Sequence, residues 1–156
     1  MAKRAKMIFA VPENTLSHKQ LLRIEFQAKY LYRQHFGKHW QTMPLWITVP
    51  AGQFFNAGKP AQISTVSITV PNQTPNSVRH EFMSHFSEMW ITATNCKANQ
   101  LVLSVIDETL STAFGKSHLQ RIRPSARMYY VSIILLQMMK SKISQGFMSI
   151  NLNLKQ

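Results

Sequence analysis

The chain is poor in several things at once. It has one cysteine, Cys96, in 156 residues, so an intrachain disulfide is excluded and nothing argues for secretion. Acids are scarce, six against 18 Lys and Arg, which leaves a net charge of +12. Charged residues are only 15% of the chain while hydrophobic ones are 45%, a balance that excludes disorder. Its most apolar run, Met128 to Met139, is too short to span a bilayer, so no membrane partner is expected. The basic start Met1 to Lys6 is followed by an apolar run that Pro12 breaks early, which does not suit a signal peptide. A cytoplasmic location is the expectation. Gly-rich phosphate loops, Gly-x-Ser-x-Gly elbows and Cys-x-x-Cys pairs are missing, and no cofactor is expected.

What is present is an internal echo. Val11-Pro12-Glu13-Asn14-Thr15 returns as Val70-Pro71-Asn72-Gln73-Thr74, 59 residues later. Gly58-Lys59 returns as Gly115-Lys116 after 57 residues. A period near sixty is a duplicated supersecondary unit and not a solenoid repeat.

Within each copy the pattern reads strand, helix, strand. Met7 to Val11 is a short apolar run ended by Pro12. Ser17 with Gln20 forms a capping box, and Leu21, Ile24, Ala28 and Leu31 fall at helical spacing up to a stop at Gly37. Pro44 to Val49 is the next strand. In the second copy Ile63 to Val70 is a strand, and Thr74 caps a helix with Pro75 at its first position. That helix carries Val78, Phe82, Phe86, Met89 and Ala93 as its buried stripe, and Leu101 to Ile106 is the strand after it. Helical crossovers between strands favour parallel pairing. The reading is an α/β protein of two tandem β-α-β units, about 6–59 and 63–118, forming a four-stranded sheet with two helices on one face. A C-terminal helix and tail occupy about 119–156, all in a single domain.

Gly115 to Arg123 reads as a loop. Ala126 to Ser144 reads as a helix apolar nearly all round, and so buried on more than one side. After Gly146 the alternation of Met148, Ile150, Leu152 and Leu154 with polar residues suggests a short strand pairing with a sheet edge. Low charge density and nine Met point to further surface buried by self-association.

The paired units, with the strand Leu103-Ser104-Val105-Ile106-Asp107-Glu108 and the aromatic-glycine Phe114-Gly115 after it, resemble the tautomerase superfamily, which includes 4-oxalocrotonate tautomerase and cis-3-chloroacrylic acid dehalogenase. The resemblance covers roughly residues 6–118. It implies a homo-oligomer, most simply a trimer, and an isomerase (keto–enol tautomerase) or a related lyase or dehalogenase acting on small anionic oxo acids. Family chemistry uses an N-terminal proline amine as acid or base. This chain departs there: no proline follows Met1, and the projected position falls near Arg4 to Lys6. Ala2, Arg4 and Lys6 are therefore the catalytic candidates, with non-proline chemistry. Pro44 after Met43 is internal, an amide without basicity. The family's substrate arginines would fall near Thr15 or Leu16 and near Leu103, where this chain has none.

Other chemistry is read from the residues themselves. Arg121 and Arg123, on a loop folding over Phe114, are candidates to bind a small anionic ligand, and the resemblance implies Phe114 as the pocket aromatic. Adjacent Asp107 and Glu108 face opposite ways on a strand and make a poor acid/base pair. The histidines, His35-x3-His39 across Gly37 and His80 with His85 among them, show no metal-ligand spacing. A non-catalytic anion binder is one alternative. A basic nucleic-acid-binding protein is the other, for which cations interleaved with exposed aromatics are required; Arg127-Met128-Tyr129-Tyr130 comes nearest.

Overall fold

The computed structural model describes residues 3–151. Strand β1 (Arg4–Pro12) leads into helix α1 (His18–Phe36) and strand β2 (Gln41–Val49). A small hairpin, β3 (Phe55–Asn56) and β4 (Lys59–Pro60), stands between the two copies. The second copy is β5 (Ser64–Val70), α2 (Asn76–Thr94) and β6 (Leu101–Asp107). Beyond it lie α3 (Glu108–Arg121), α4 (Pro124–Gln145) and β7 (Ser149–Asn151).

The sheet runs β6-β5-β1-β2-β7. Each copy pairs its own strands in parallel, β1 with β2 and β5 with β6, and the copies join antiparallel through β1 and β5. The fifth strand, β7, adds parallel to β2 at Trp46–Thr48, the edge pairing expected of the tail. The rest of the alternating tail, Leu152 onward, lies outside the described residues.

The duplicated turn is the same object twice. Thr15 Oγ1 donates to the carbonyl of Pro12 at 2.7 Å, and Thr74 Oγ1 donates to that of Pro71 at 2.7 Å. Asn14 and Gln73, one before each threonine, hold φ of 60° and 61°. Thr74 is thus spent on the turn and does not cap α2, whose first turn has no side-chain cap. At α1 the Ser17–Gln20 capping box forms as the sequence implies.

Strand alternation sends Ala5, Met7, Phe9 and Val11 under the helices, where they meet Trp46, Val66, Ile68 and Val70. Ile24, Ala28 and Tyr32 from α1 and Phe82, Phe86 and Trp90 from α2 close this core. Its centre is aromatic: Phe9 stacks on Trp46 at 4.5 Å between centroids and lies 5.9 Å from Trp90. Glu25, buried on α1, accepts from Trp46 Nε1 at 3.3 Å and from Lys29 Nζ at 2.6 Å.

Two expectations are overturned. Residues 108–121 are a helix, where 115–123 read as a loop. Gly115 has no positive φ and ends nothing, and the start of the helix is held by Asn72 of the duplicated turn. Asn72 Oδ1 accepts from the N–H and the hydroxyl of Thr109, both at 3.1 Å. The second correction concerns α4, which is not buried on several sides. Within one copy of the chain only Ser141 of this helix is buried, and Ile143 is 84% exposed.

Two matched pairs of substitutions test this account. Gln73→Gly removes a left-handed strain that costs a glutamine about 1–2 kcal/mol, partly offset by glycine's freedom in the unfolded chain. Its expected effect in thermal unfolding is stabilisation of about 0.5 kcal/mol, whereas Asn14→Gly is near neutral because asparagine tolerates that region. In the core, Trp46→Phe takes a donor from buried Glu25, while the indole N–H of Trp90 has no partner to lose. Denaturant unfolding should therefore show Trp46→Phe costing about 1–3 kcal/mol more than Trp90→Phe.

Candidate active site

The face of the sheet turned away from α1 and α2 receives the alternate residues of β1. Arg4 and Lys6 project there, both exposed, beside buried Thr69 of β5. The chain then passes from β6 into α3, whose first turns put Glu108, Ser111 and Thr112 on one helical face at i, i+3 and i+4. Lys3, Arg4, Lys6, Thr69, Glu108, Ser111 and Thr112 together line a cavity of about 510 Å³.

Its parts are held from behind. Thr69 Oγ1 donates to Ser111 Oγ at 3.2 Å, tying β5 to α3. The carbonyl of Thr69 accepts from Tyr32 Oη at 3.0 Å. Burial, and secondarily the negative charge of Glu108, pushes the Tyr32 phenol well above its ordinary range, so it stays a neutral donor. Lys3 Nζ lies 5.5 Å from the centre of the Trp40 ring, which fixes one cation at the cavity edge. Asp107 is withdrawn to the other face of the sheet, where it pairs with Arg79 of α2 at 2.5 Å. Glu108 is left as the cavity's carboxylate and, among the described residues, forms no ion pair.

Of the residues singled out in the sequence, Arg4 and Lys6 come together here with Lys3. Ala2 lies outside the described residues. Phe114, Arg121 and Arg123 do not line this cavity. Phe114 and Arg121 share a face of α3 two turns apart, with Phe114 71% exposed, and Arg123 precedes α4. No loop folds Arg121 and Arg123 over Phe114, because the segment that would do so is helical. Pro44 is buried in β2 opposite Met7. Ser111 and Thr112 escaped the sequence reading because their spacing from Glu108 has meaning only once the segment is known to be helical.

A histidine contact also escaped it. His35 Nε2 lies 3.2 Å from His85 Nδ1, joining α1 to α2 across 50 residues. Among the described residues no three metal-ligating side chains gather.

No protein-family model matches the sequence, and no curated protein matches it. Solved structures do match. Native Ps01740 superposes with a TM-score of 0.63 at 19% identity, over 65% of this chain and 92% of that one. The Q0 fused 4-OT symmetric trimer gives 0.60 at 8% identity, over 65% and 84%. N1, a member of the cis-3-chloroacrylic acid dehalogenase family, gives 0.59 at 9% identity, over 65% and 73%. The chain has the tautomerase-superfamily fold. At these identities the likeness is one of architecture: two fused β-α-β units, with one third of the chain outside the superposition.

The histidine contact yields a pH prediction. Burial lowers the His35 pKa below 6.5, Glu81 raises it part of the way back, and His85 lowers it further. The folded state then binds fewer protons than the unfolded chain once the pH drops below the unfolded value. This contribution is complete above pH 6.5 and is lost as the pH falls toward the folded pKa. Thermal unfolding should show a midpoint declining with acidification across that window, and His35→Gln should flatten the decline.

Proposed function

We propose that the chain is a diverged tautomerase-like protein whose cavity between β1 and α3 takes a small anionic oxo acid. The observation carrying this reading is the placement of Lys3, Arg4 and Lys6 with Glu108, a carboxylate in no ion pair among the described residues, around that cavity. Three cations and the N-terminal end of α3 favour a substrate carboxylate, and Thr112 and Ser111 offer hydroxyls to a neighbouring carbonyl. Residues 3–11 contain no proline, so the proton falls to Glu108. In ketonisation Glu108 takes the enol proton as the carbonyl forms, and the neighbouring carbon of the enol double bond gains a proton from the resulting carboxylic acid or from water. Arg4 and Lys6 hold the substrate while charge moves onto its oxygen. A related lyase or dehalogenase activity would use the same groups on an anionic substrate that carries a leaving group.

The chain works as a homo-oligomer, most simply a trimer. The Q0 fused 4-OT protein is a symmetric trimer, and this chain carries Met128, Tyr129, Leu135, Leu136, Met139 and Ile143 exposed along α4. An apolar helix surface of that extent is the kind that subunit contact covers.

Two measurements test the reading. Calorimetric titration with a small oxo dicarboxylate should show binding that weakens about tenfold in Arg4→Ala or Lys6→Ala. A spectroscopic ketonisation assay should lose about a hundredfold or more in rate in Glu108→Gln, with binding retained. Binding without turnover in the wild type would favour a non-catalytic anion binder, and no binding at all would overturn the site. Light scattering should give three chain masses at micromolar concentration; a monomer there would overturn the trimer.

A further inference from the structure

The outer face of α1 carries a stripe that the small-anion cavity does not use. Lys19, Arg23, Phe26, Tyr30 and Arg33 fall within about 80° of one another around the helix, at 100° per residue. All five are exposed, Phe26 at 72% and Tyr30 at 59%. The stripe is about 21 Å long at 1.5 Å per residue, the reach of three or four nucleotides. Its order is cation, cation, aromatic, aromatic, cation.

The helix puts no acid on this face, and the carboxylate bordering it, Glu88 of α2, lines a groove beside Arg23 at its edge. The helix has one carboxylate, Glu25, and that is buried against Trp46 and Lys29. Beyond Tyr30 the stripe runs into a groove of about 450 Å³ lined by Arg4, Lys29 and Arg33 with Gln41, Thr42 and Met43. Two exposed rings on one helix cost hydration, and a plain solvated basic face would not need them. Ring faces beside guanidinium and ammonium groups along one helix suit bases stacked in a row and strung on phosphates.

We propose that the outer face of α1 binds single-stranded nucleic acid, with Phe26 and Tyr30 stacking bases and Lys19, Arg23 and Arg33 on the phosphates. The affinity is set by stacking and charge and is tolerant of base sequence.

The probe is a labelled oligothymidylate of about 12 nucleotides, a length within the range single-strand sites use, followed by fluorescence anisotropy with the full chain. Binding should fall with salt, with a log–log slope of about −2 for three phosphate contacts. Phe26→Ala and Tyr30→Ala should each weaken binding about tenfold and leave the slope unchanged. Arg23→Ala and Arg33→Ala should each make the slope shallower by about 0.7. These side chains are exposed, so the variants should keep the wild-type circular dichroism. Absence of binding would overturn the proposal. So would binding that is indifferent to Phe26→Ala and Tyr30→Ala and displaced equally by inorganic polyphosphate, which is diffuse charge alone. A drop in oligomer mass in the aromatic variants, without any nucleic-acid binding, would assign the face to a second copy of the chain and also overturn it.

Discussion

The ring of Phe9 stacked on the indole of Trp46 is the contact on which the rest of the structure depends. Phe9 belongs to the first strand and Trp46 to the second, and Phe86 and Trp90 of the other copy's helix lie against Phe9 at 6.5 and 5.9 Å. One cluster therefore binds the two β-α-β units together as well as holding each helix to the sheet. Aromatic pairs contribute about 0.5–1.5 kcal/mol beyond the area they bury, and here several share one ring. The indole N–H of Trp46 meets a carboxylate, so its orientation is set from one side by stacking and from the other by Glu25.

That packing decides what the opposite face of the sheet can do. With Ala5, Met7, Phe9 and Val11 committed beneath α1 and α2, strand alternation leaves Arg4, Lys6, Ile8 and Ala10 pointing the other way. The residues at the strand's start are cationic and those near its end apolar, so this face has a charged mouth and a greasy floor. Helix α3 then folds over the mouth because Asn72, in the turn after β5, satisfies its first turn. The duplicated turn thus has different work in its two copies. In the first it leads into α1 and ties back to β2, Glu13 N–H donating to the Val49 carbonyl at 2.9 Å; in the second it starts a helix that brings Glu108, Ser111 and Thr112 to the cations.

The double β-α-β pattern was legible because its signals are local and redundant: the repeated Val-Pro with its Thr, the Ser17–Gln20 box, and two helices with buried faces at regular spacing. Trp90 was missed from the buried stripe of α2 although it follows Phe86 by one turn, because Met89 offered an equally apolar choice. Helix α3 was illegible for a physical reason. Its cap comes from Asn72, distant in sequence, while Gly115 and several Ser and Thr inside it mimic a turn. The candidate site inherits that difficulty. Its β1 cations were found from the strand, and its α3 residues depend on a helix that no short-range rule announces. The α1 stripe is half legible: Lys19, Arg23 and Arg33 fall outside the apolar spacing of Leu21, Ile24, Ala28 and Leu31, but the exposure of Phe26 and Tyr30 is known only once Glu25, not an apolar residue, is found to take the inward position beside them.

Charge is the final link between these surfaces. Of six acids in the chain, Glu25 and Asp107 are consumed by internal ion pairs with Lys29 and Arg79, which leaves 16 of the 18 Lys and Arg facing four acids. Such a surplus destabilises a compact chain by self-repulsion unless anions or geometry relieve it. Arg4 stands where both relief surfaces meet, lining the cavity with Glu108 on one side and the groove with Lys29 and Arg33 on the other. A phosphate held in the groove lowers the positive potential felt in the cavity within about one Debye length, near 8 Å at physiological salt. If both surfaces take anions as proposed, occupancy of one weakens anion binding at the other, and by thermodynamic reciprocity the two effects are equal in free energy.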